Sequence, residues 1–379
     1  MEFTCEKRDL QSGVGAVEKI VTTRSALPII ANILFEIGKS GVKLSANNLE
    51  MGMELSVKAT TQKEGSFLLP AKTLSGIVSK LPETTVTFKV SENRQVKITY
   101  DKSQFNLHSL PPDEFPVLPK VKDGKSFSLE AKVLSKMIKQ TIFAVSSSED
   151  KYTLTGVMIE TGKSPISGES SNIRLVATDG YRLAKSGSKV ANLADVAVNA
   201  IVPARALQEL VKLIDSNKDG QVKVTISNEQ ISFNFHDVYI VSRLIQGQFP
   251  DYKQVIPKKF STRVLVKTEE LHRSAERAAV IASGSANVTS FEVKGGKITI
   301  SAHTPDVGSI EEVIEAEIKG TEKARVSFNV RLINDVLSVV ESDNVAIELG
   351  EGLSPGVIRP DGGDDYLYLV MPIRTQEAA

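Results

Sequence analysis

At 379 residues, and with roughly 100 to 200 residues per domain, the chain is long enough for two to four cores. Its composition, 41% hydrophobic and 24% charged, is globular, and no stretch approaches the ~18 unbroken apolar residues of a membrane helix, so disorder and helical insertion are both excluded. The 46 basic and 46 acidic residues cancel, so net charge alone argues for no polyanionic partner.

In chain order, the first ten residues, MEFTCEKRDL, place charges where a secretory leader needs an apolar run, and the single Cys5 cannot form an internal disulfide. A cytoplasmic protein is therefore expected. A helix is predicted over residues 5–24. From Leu68 a short apolar strand leads into a helix over 70–81, with Leu74, Ile77, Val78 and Leu81 on one face. VTFKV and VKITY, joined by polar SENRQ, alternate apolar and polar residues as half-buried hairpin strands do. SLPPDEFPVLP, ending at Pro119, reads as a linker because its prolines cannot continue a central strand.

The middle of the chain repeats this order. Helices are predicted over 129–141 and 203–214, the second with Leu207, Leu210, Val211 and Ile214 on one face. Between them RLVATDGYRLAKS (Arg174–Ser186) reads as two strands joined through Asp179 and Gly180. VKVTI-SNEQ-ISFNF is a second hairpin, and LIQGQFPDYKQVIP, ending at Pro257, is a second linker. Helices over 267–277 and 329–340 open the third round, which continues with VAIEL, GVIRP and a last strand in YLYLVMPIR.

The starts of the three second helices, Pro70, Pro203 and Asn329, are 133 and 126 residues apart. The chain therefore reads as three α+β units of similar size, 1–120, 121–253 and 254–379, each with two helices packed on antiparallel sheets. The six helix segments carry fifteen basic and nine acidic residues, while Asp306 to Ala379 carries fifteen acidic and six basic. Positive helices set against negative strands and loops suit a face that meets a polyanion, although lysines also favour helix surfaces for their own sake. No aromatic residues interleave those positions, so any meeting with DNA would be at phosphate and independent of sequence.

Candidates for catalysis fail on spacing. DSNKDG at Asp215–Gly220 begins like a calcium loop, but Ile226 stands where a bidentate glutamate is needed. GVMIETGKS has five residues between its glycines where a phosphate loop has four, and Pro165 follows where a helix should open. His108, His236, His272 and His303 are scattered, and DGGDD reads as a solvated turn. No cofactor, metal or catalytic residue is expected.

RLVATDGYRLAKS, followed by FPDYKQVIP and then LVMPIR, resembles the bacterial β sliding clamps across the whole chain. The resemblance implies a DNA-clamp fold of three similar domains, with two chains closing head to tail into a ring around duplex DNA. It implies a non-enzymatic processivity factor that tethers the replicative polymerase, the clamp loader and repair proteins through their short clamp-binding peptides, with no membrane partner. Carried over position by position, the peptide groove would comprise Leu154, Thr178, Gly180, Tyr181, Arg182, Leu183, Pro250, Val255, Val357, Val370, Met371, Pro372 and Arg374, the arginines holding a peptide's backbone or carboxylate. DNA would meet Arg24, Lys72, Tyr152 and Arg205, and the ring seam would join Phe105 and Leu107 to Val280 and Ile281. Leu332 stands where the family often has tyrosine, Ser148 replaces a longer polar residue, and TQEAA extends past Arg374. The alternatives are a specialised clamp paralogue and an enzyme with an unfamiliar site.

Overall fold

The computed structural model of the chain describes residues 1–22, 27–162, 172–190, 193, 197–321, 323–362 and 365–374. The first third runs β1 (Glu2–Glu6), α1 (Lys7–Glu18), β2 (Asn32–Gly38), β3 (Gly41–Asn47), β4 (Met51–Val57), β5 (Thr60–Lys63), β6 (Gly65–Pro70), α2 (Ala71–Val78), β7 (Thr85–Val90), β8 (Gln95–Tyr100) and β9 (Ser103–His108). The second runs β10 (Lys125–Glu130), α3 (Ala131–Ile142), β11 (Gly156–Thr161), β12 (Ile173–Thr178), β13 (Arg182–Ser188), β14 (Asn199–Pro203), α4 (Ala204–Ser216), β15 (Gln221–Ile226), β16 (Gln230–Phe235) and β17 (Val238–Arg243). The third runs β18 (Thr262–Lys267), α5 (Thr268–Ala282), β19 (Val288–Lys294), β20 (Lys297–Thr304), β21 (Gly308–Glu315), β22 (Glu317–Gly320), β23 (Lys323–Asn329), α6 (Val330–Leu337), β24 (Asn344–Leu349), β25 (Gly356–Pro360) and β26 (Tyr366–Val370). Each third has the same order, a strand and helix, four strands and helix, then three strands, with one extra short strand (β5 or β22) in the first and the last.

All six predicted helices are present. The first needs correction at both ends, because residues 2–6 form a strand and the helix stops at Glu18. Phe3 and Cys5 are buried at alternate positions, and the strand pairs with β5 on one side and β7 on the other. Period-two burial with two partners outweighs the helical spacing of the residues around it.

The chain forms two compact units, and the middle third is shared between them. Residues 1–132 and 205–244 build a five-stranded sheet, β5-β1-β7-β8-β9, and an eight-stranded sheet, β10-β15-β16-β17-β4-β3-β2-β6. The strands of two sequence repeats meet inside that larger sheet where β17 pairs with β4, Val238 opposite Leu55 and Ser242 opposite Met51. Phe3 and Phe88 from the smaller sheet stack at 4.7 Å, Phe35 and Phe67 from the larger at 4.9 Å, and Phe3 approaches Phe35 at 6.2 Å, so four rings tie the sheets together. Leu10, Val14 and Val17 of α1 and Leu74 and Val78 of α2 are buried, each contributing roughly 1.5–3 kcal/mol.

Residues 133–204 and 245–379 build a nine-stranded sheet, β14-β11-β12-β13-β26-β25-β24-β18-β22, and a four-stranded sheet, β21-β20-β19-β23. Here the strands of the second and third repeats meet where β13 pairs with β26, Arg182 opposite Val370 and Ser186 opposite Tyr366. Leu271, Ala275, Ala278 and Ala282 bury one face of α5, and Ile333, Val336 and Leu337 that of α6. Among the described residues no helix is long and apolar enough to cross a membrane.

Candidate functional site

The hairpin joining β12 to β13 is fixed by its own side chains. Asp179 Oδ1 accepts the N–H groups of Tyr181 (2.8 Å) and Arg182 (3.1 Å), while Thr178 Oγ1 accepts that of Gly180 (3.1 Å) and donates to the Arg182 carbonyl (2.6 Å). Gly180 sits at φ +94°, where a side chain would be strained. The Met371 N–H donates to the Tyr181 carbonyl at 2.9 Å, so the end of β26 is bonded to the turn.

Beside that turn lies one continuous apolar cluster. Leu183, Val357, Leu367, Leu369, Phe249 and Tyr252 are buried in it, and Leu154, Ile256 and Phe260 pack on it half-buried. Tyr181, Val255 and Met371 are large side chains left 66%, 48% and 40% exposed, while Gly180, Pro250 and Arg374 are also exposed and Pro372 is half-buried. Buried aliphatics beside exposed apolar and proline side chains, on ordered strands and turns, form a surface able to take an extended peptide.

Not every expected groove residue faces it. Val370 lies on the opposite face of the sheet from Leu367 and Leu369, beside Phe328, Ile347 and Ile358 at a void of about 10 Å³ in the third-repeat core. The period of two along β26 requires this. Arg182 is committed internally: Nε donates to Asp179 at 3.0 Å, Nη2 to the Phe143 carbonyl at 2.6 Å, and Nη1 to the Asp335 carboxylate. Its side chain is only 11% exposed, and these three contacts hold it against its own fold. Arg374 is the exposed arginine of the expected groove, and it makes no ion pair with a described residue.

The linker segment is held by a charged cluster that spacing did not suggest. Glu160 of β11 accepts hydrogen bonds from Tyr252 Oη (2.8 Å), Lys253 Nζ (3.1 Å) and Arg174 Nε (3.2 Å). Burial works against ionisation of Glu160, but the Tyr252 and Lys253 hydrogen bonds and the Arg174 charge prevail and hold its carboxyl below the ordinary range. Burial, and then the bond to Glu160, push the Tyr252 phenol up. Lys185, fully buried on β13, is lowered to about 8 by burial, with Asp365 opposing.

Of the residues expected at DNA, Arg24 lies outside the described residues, as does TQEAA (375–379). Lys72 and Arg205 are exposed, each the second residue of its helix, and Arg205 Nη2 donates to the Lys19 carbonyl at 2.6 Å. Tyr152 is 60% exposed in the 3-10 turn Glu149–Leu154, which Ser148 precedes. Arg331, missed in the sequence, is exposed at the same second position of α6. A cation in a first turn opposes the helix dipole, so its recurrence in all three second helices marks a requirement outside folding. Aligning PAK, PAR and NVR would have found it.

Phe105 and Leu107 lie on β9, the edge strand of the five-stranded sheet, with Phe105 36% exposed. Val280, 70% exposed, and Ile281 lie on the last turn of α5. Asp215–Gly220 ends α4 and leads into β15. Among the described residues no three His, Cys, Asp or Glu side chains gather where they could hold a metal ion.

Three family models match the chain in order: DNA polymerase III beta subunit, N-terminal domain over residues 1–119, central domain over 128–251, and C-terminal domain over 253–374. The beta sliding clamp of a Synechocystis species is 32% identical over 99% of both chains, and that of Bacillus subtilis is 31% identical over 99% of this chain and all of its own. The crystal structure of the DNA polymerase sliding clamp from B. subtilis aligns with a TM-score of 0.91 at 31% identity, covering 99% of each chain. A DnaN sliding clamp from Pseudomonas aeruginosa bound to griselimycin aligns with the same TM-score at 26% identity, over 99% of this chain and all of its own.

Proposed function

The chain belongs to the DNA polymerase III beta-subunit family, the bacterial β sliding clamps, and from that membership we propose how its surfaces divide the work of a clamp. It is a DNA sliding clamp supporting polymerase processivity, a non-catalytic subunit. Duplex DNA, a second copy of itself, and polymerases with their clamp-binding peptides are its partners; the clamp loader and repair proteins join them in this reading. The observation that carries it is the threefold element order, matched along the chain by the N-terminal, central and C-terminal family models.

In this reading the domains divide near residues 120 and 254, and two chains close head to tail in the cytoplasm. The exposed edge strand β9, with Phe105 and Leu107, meets Val280 and Ile281 of the other chain, which covers an edge that would otherwise recruit stray strands. Lys72, Arg205 and Arg331, with Arg24 and Tyr152, attract phosphates without reading bases, so the ring slides while enclosure prevents escape. The peptide site is the apolar surface around Leu154, Leu183, Val255, Val357 and Met371, with Thr178, Gly180 and Tyr181 forming the turn at its edge and Pro250, Pro372 and Arg374 beside it. Tethering there raises a polymerase's effective concentration at the primer end.

Retention on DNA tests this directly. The protein, loaded on nicked circular DNA, should remain bound through a high-salt wash and be lost when the circle is linearised. Equal loss from both forms, or a monomer at micromolar concentration, would refute the ring.

A further inference from the structure

We propose that the junction of the first and second repeats carries a second binding site, which takes a short extended peptide bearing an aliphatic side chain and a carboxylate. The choice of a peptide rests on the reading of the Met371 surface; the construction of the site stands on its own geometry.

The hairpin between β3 and β4 reproduces four hydrogen bonds of the β12–β13 turn, though not the one from the Thr178 hydroxyl to the Arg182 carbonyl. Asn48 Oδ1 accepts the N–H groups of Glu50 (3.1 Å) and Met51 (2.8 Å), as Asp179 does those of Tyr181 and Arg182. Asn47 Oδ1 accepts the Leu49 N–H at 2.8 Å, as Thr178 does that of Gly180. Leu49 is held at φ +75° where the other turn has Gly180 at +94°. A leucine there is strained, so the turn is over-determined by its surroundings. The Arg243 N–H donates to the Glu50 carbonyl at 2.8 Å, as Met371 does to Tyr181 at 2.9 Å. Each turn is also followed by a linker with a buried phenylalanine and a proline, Phe115-Pro116 here and Phe249-Pro250 there, and Asn47 Nδ2 donates to the Pro116 carbonyl at 3.3 Å.

These parts line an open cleft of about 230 Å³, bordered by Leu49, Glu50, Met51, Val117, Val241 and Arg243 among others. Val117 is 89% exposed and Leu49 44%, so two aliphatic side chains project instead of packing. The volume is below the roughly 300–1,000 Å³ of sites for drug-sized molecules and suits one side chain with its adjoining backbone. Two substitutions set the specificity apart: Arg243 stands where the other site has Met371, and Glu50 where it has Tyr181. The Arg243 guanidinium is exposed and makes no ion pair with a described residue, which leaves its planar fork for a carboxylate. Glu50, whose carbonyl receives the Arg243 N–H, also lines the opening, and its carboxylate can accept a peptide N–H.

The test uses the full chain labelled at its methionine methyl groups, since Met51 lines this cleft and Met371 the other site. The probe is N-acetyl-Gly-Leu-Glu-Leu-Glu with a free C-terminus. Its titration should shift the Met51 signal; Arg243→Glu should weaken that response at least tenfold and leave that of Met371 intact. Val117→Asp, on a side chain that holds nothing in the fold, should do the same. A Met51 signal unmoved by the probe, or moved in both variants as it is in the unaltered protein, would overturn the proposal. A Met51 response without one at Met371 would support it while removing the reading of the Met371 surface.

Discussion

The Tyr252 phenol donates to Glu160 Oε2 at 2.8 Å, and this bond fastens the segment that carries Pro250 and Val255 to strand β11. Tyr252 is only 2% exposed, so its hydroxyl has no water to turn to when the carboxylate is removed. Tyr252→Phe and Glu160→Gln should each cost about 1–3 kcal/mol in urea unfolding. Both should also weaken a polymerase-derived peptide, because Val255 loses its support. Full peptide affinity in a destabilised Tyr252→Phe protein would show that the wall is held by something else.

The same carboxylate predicts an acid dependence. Glu160 has its folded pKa depressed, so its contribution is fully present above the ordinary value of 4.5 and disappears as pH falls through the lower folded one. The thermal midpoint should therefore fall below about pH 4.5, and Glu160→Gln should flatten that part of the profile. An identical profile in the variant would remove Glu160 as the source.

Arg182 touches Asp179, Asp335 and the Phe143 carbonyl, tying the hairpin to α6 and to the residue after α3. Replacing it with methionine removes one donor from each of Asp179, Asp335 and the Phe143 carbonyl, a loss of about 1–3 kcal/mol because Asp335 is 43% exposed and Asp179 keeps two backbone N–H donors. Arg182→Lys should recover only part, since an ammonium lacks the planar fork. If lysine restores full stability in equilibrium unfolding, the geometry of the fork is irrelevant.

Met371→Ala, on a 40% exposed side chain, should weaken a polymerase-derived peptide about tenfold, or 1.4 kcal/mol, with the mass of the dimer unchanged. Fluorescence anisotropy with sedimentation checks both halves of that statement. Unaltered affinity would move the peptide site elsewhere.

Lys72→Glu, Arg205→Glu and Arg331→Glu should each leave stability within ~0.5 kcal/mol, since all three side chains are exposed. Each cation withdrawn from a phosphate should reduce the slope of log affinity against log salt by about 0.9. A slope unchanged by Arg331→Glu would exclude that residue from the DNA surface.

Local pattern in the sequence reaches the elements but not their partners. Helical spacing locates α2, α4 and α6 because their buried leucines recur every three to four residues, and Asp179-Gly180 announces the β12–β13 turn. Cys5 reads as helical in isolation because only pairing with β5 and β7, more than fifty residues away, makes residues 2–6 a strand. Val370 and Val357 look alike in sequence, yet strand register sends one to the third-repeat core and the other to the apolar cluster beside the β12–β13 turn. The role of Arg182 is hidden for the same reason: Asp335 is 153 positions away, and nothing local distinguishes an arginine that binds ligand from one that binds its own fold.

The middle repeat lends β10 and β15–β17 to one sheet and β11–β14 to another. It is thus not a detachable module. Cut out at its sequence boundaries, it would bare the flanks of β17 and β13 at once, and such raw borders invite aggregation. A gene encoding only the outer thirds would in turn lack the strands that complete each of their larger sheets. Three copies can be recognised along the chain, but the middle one cannot be subtracted without opening both of the larger sheets.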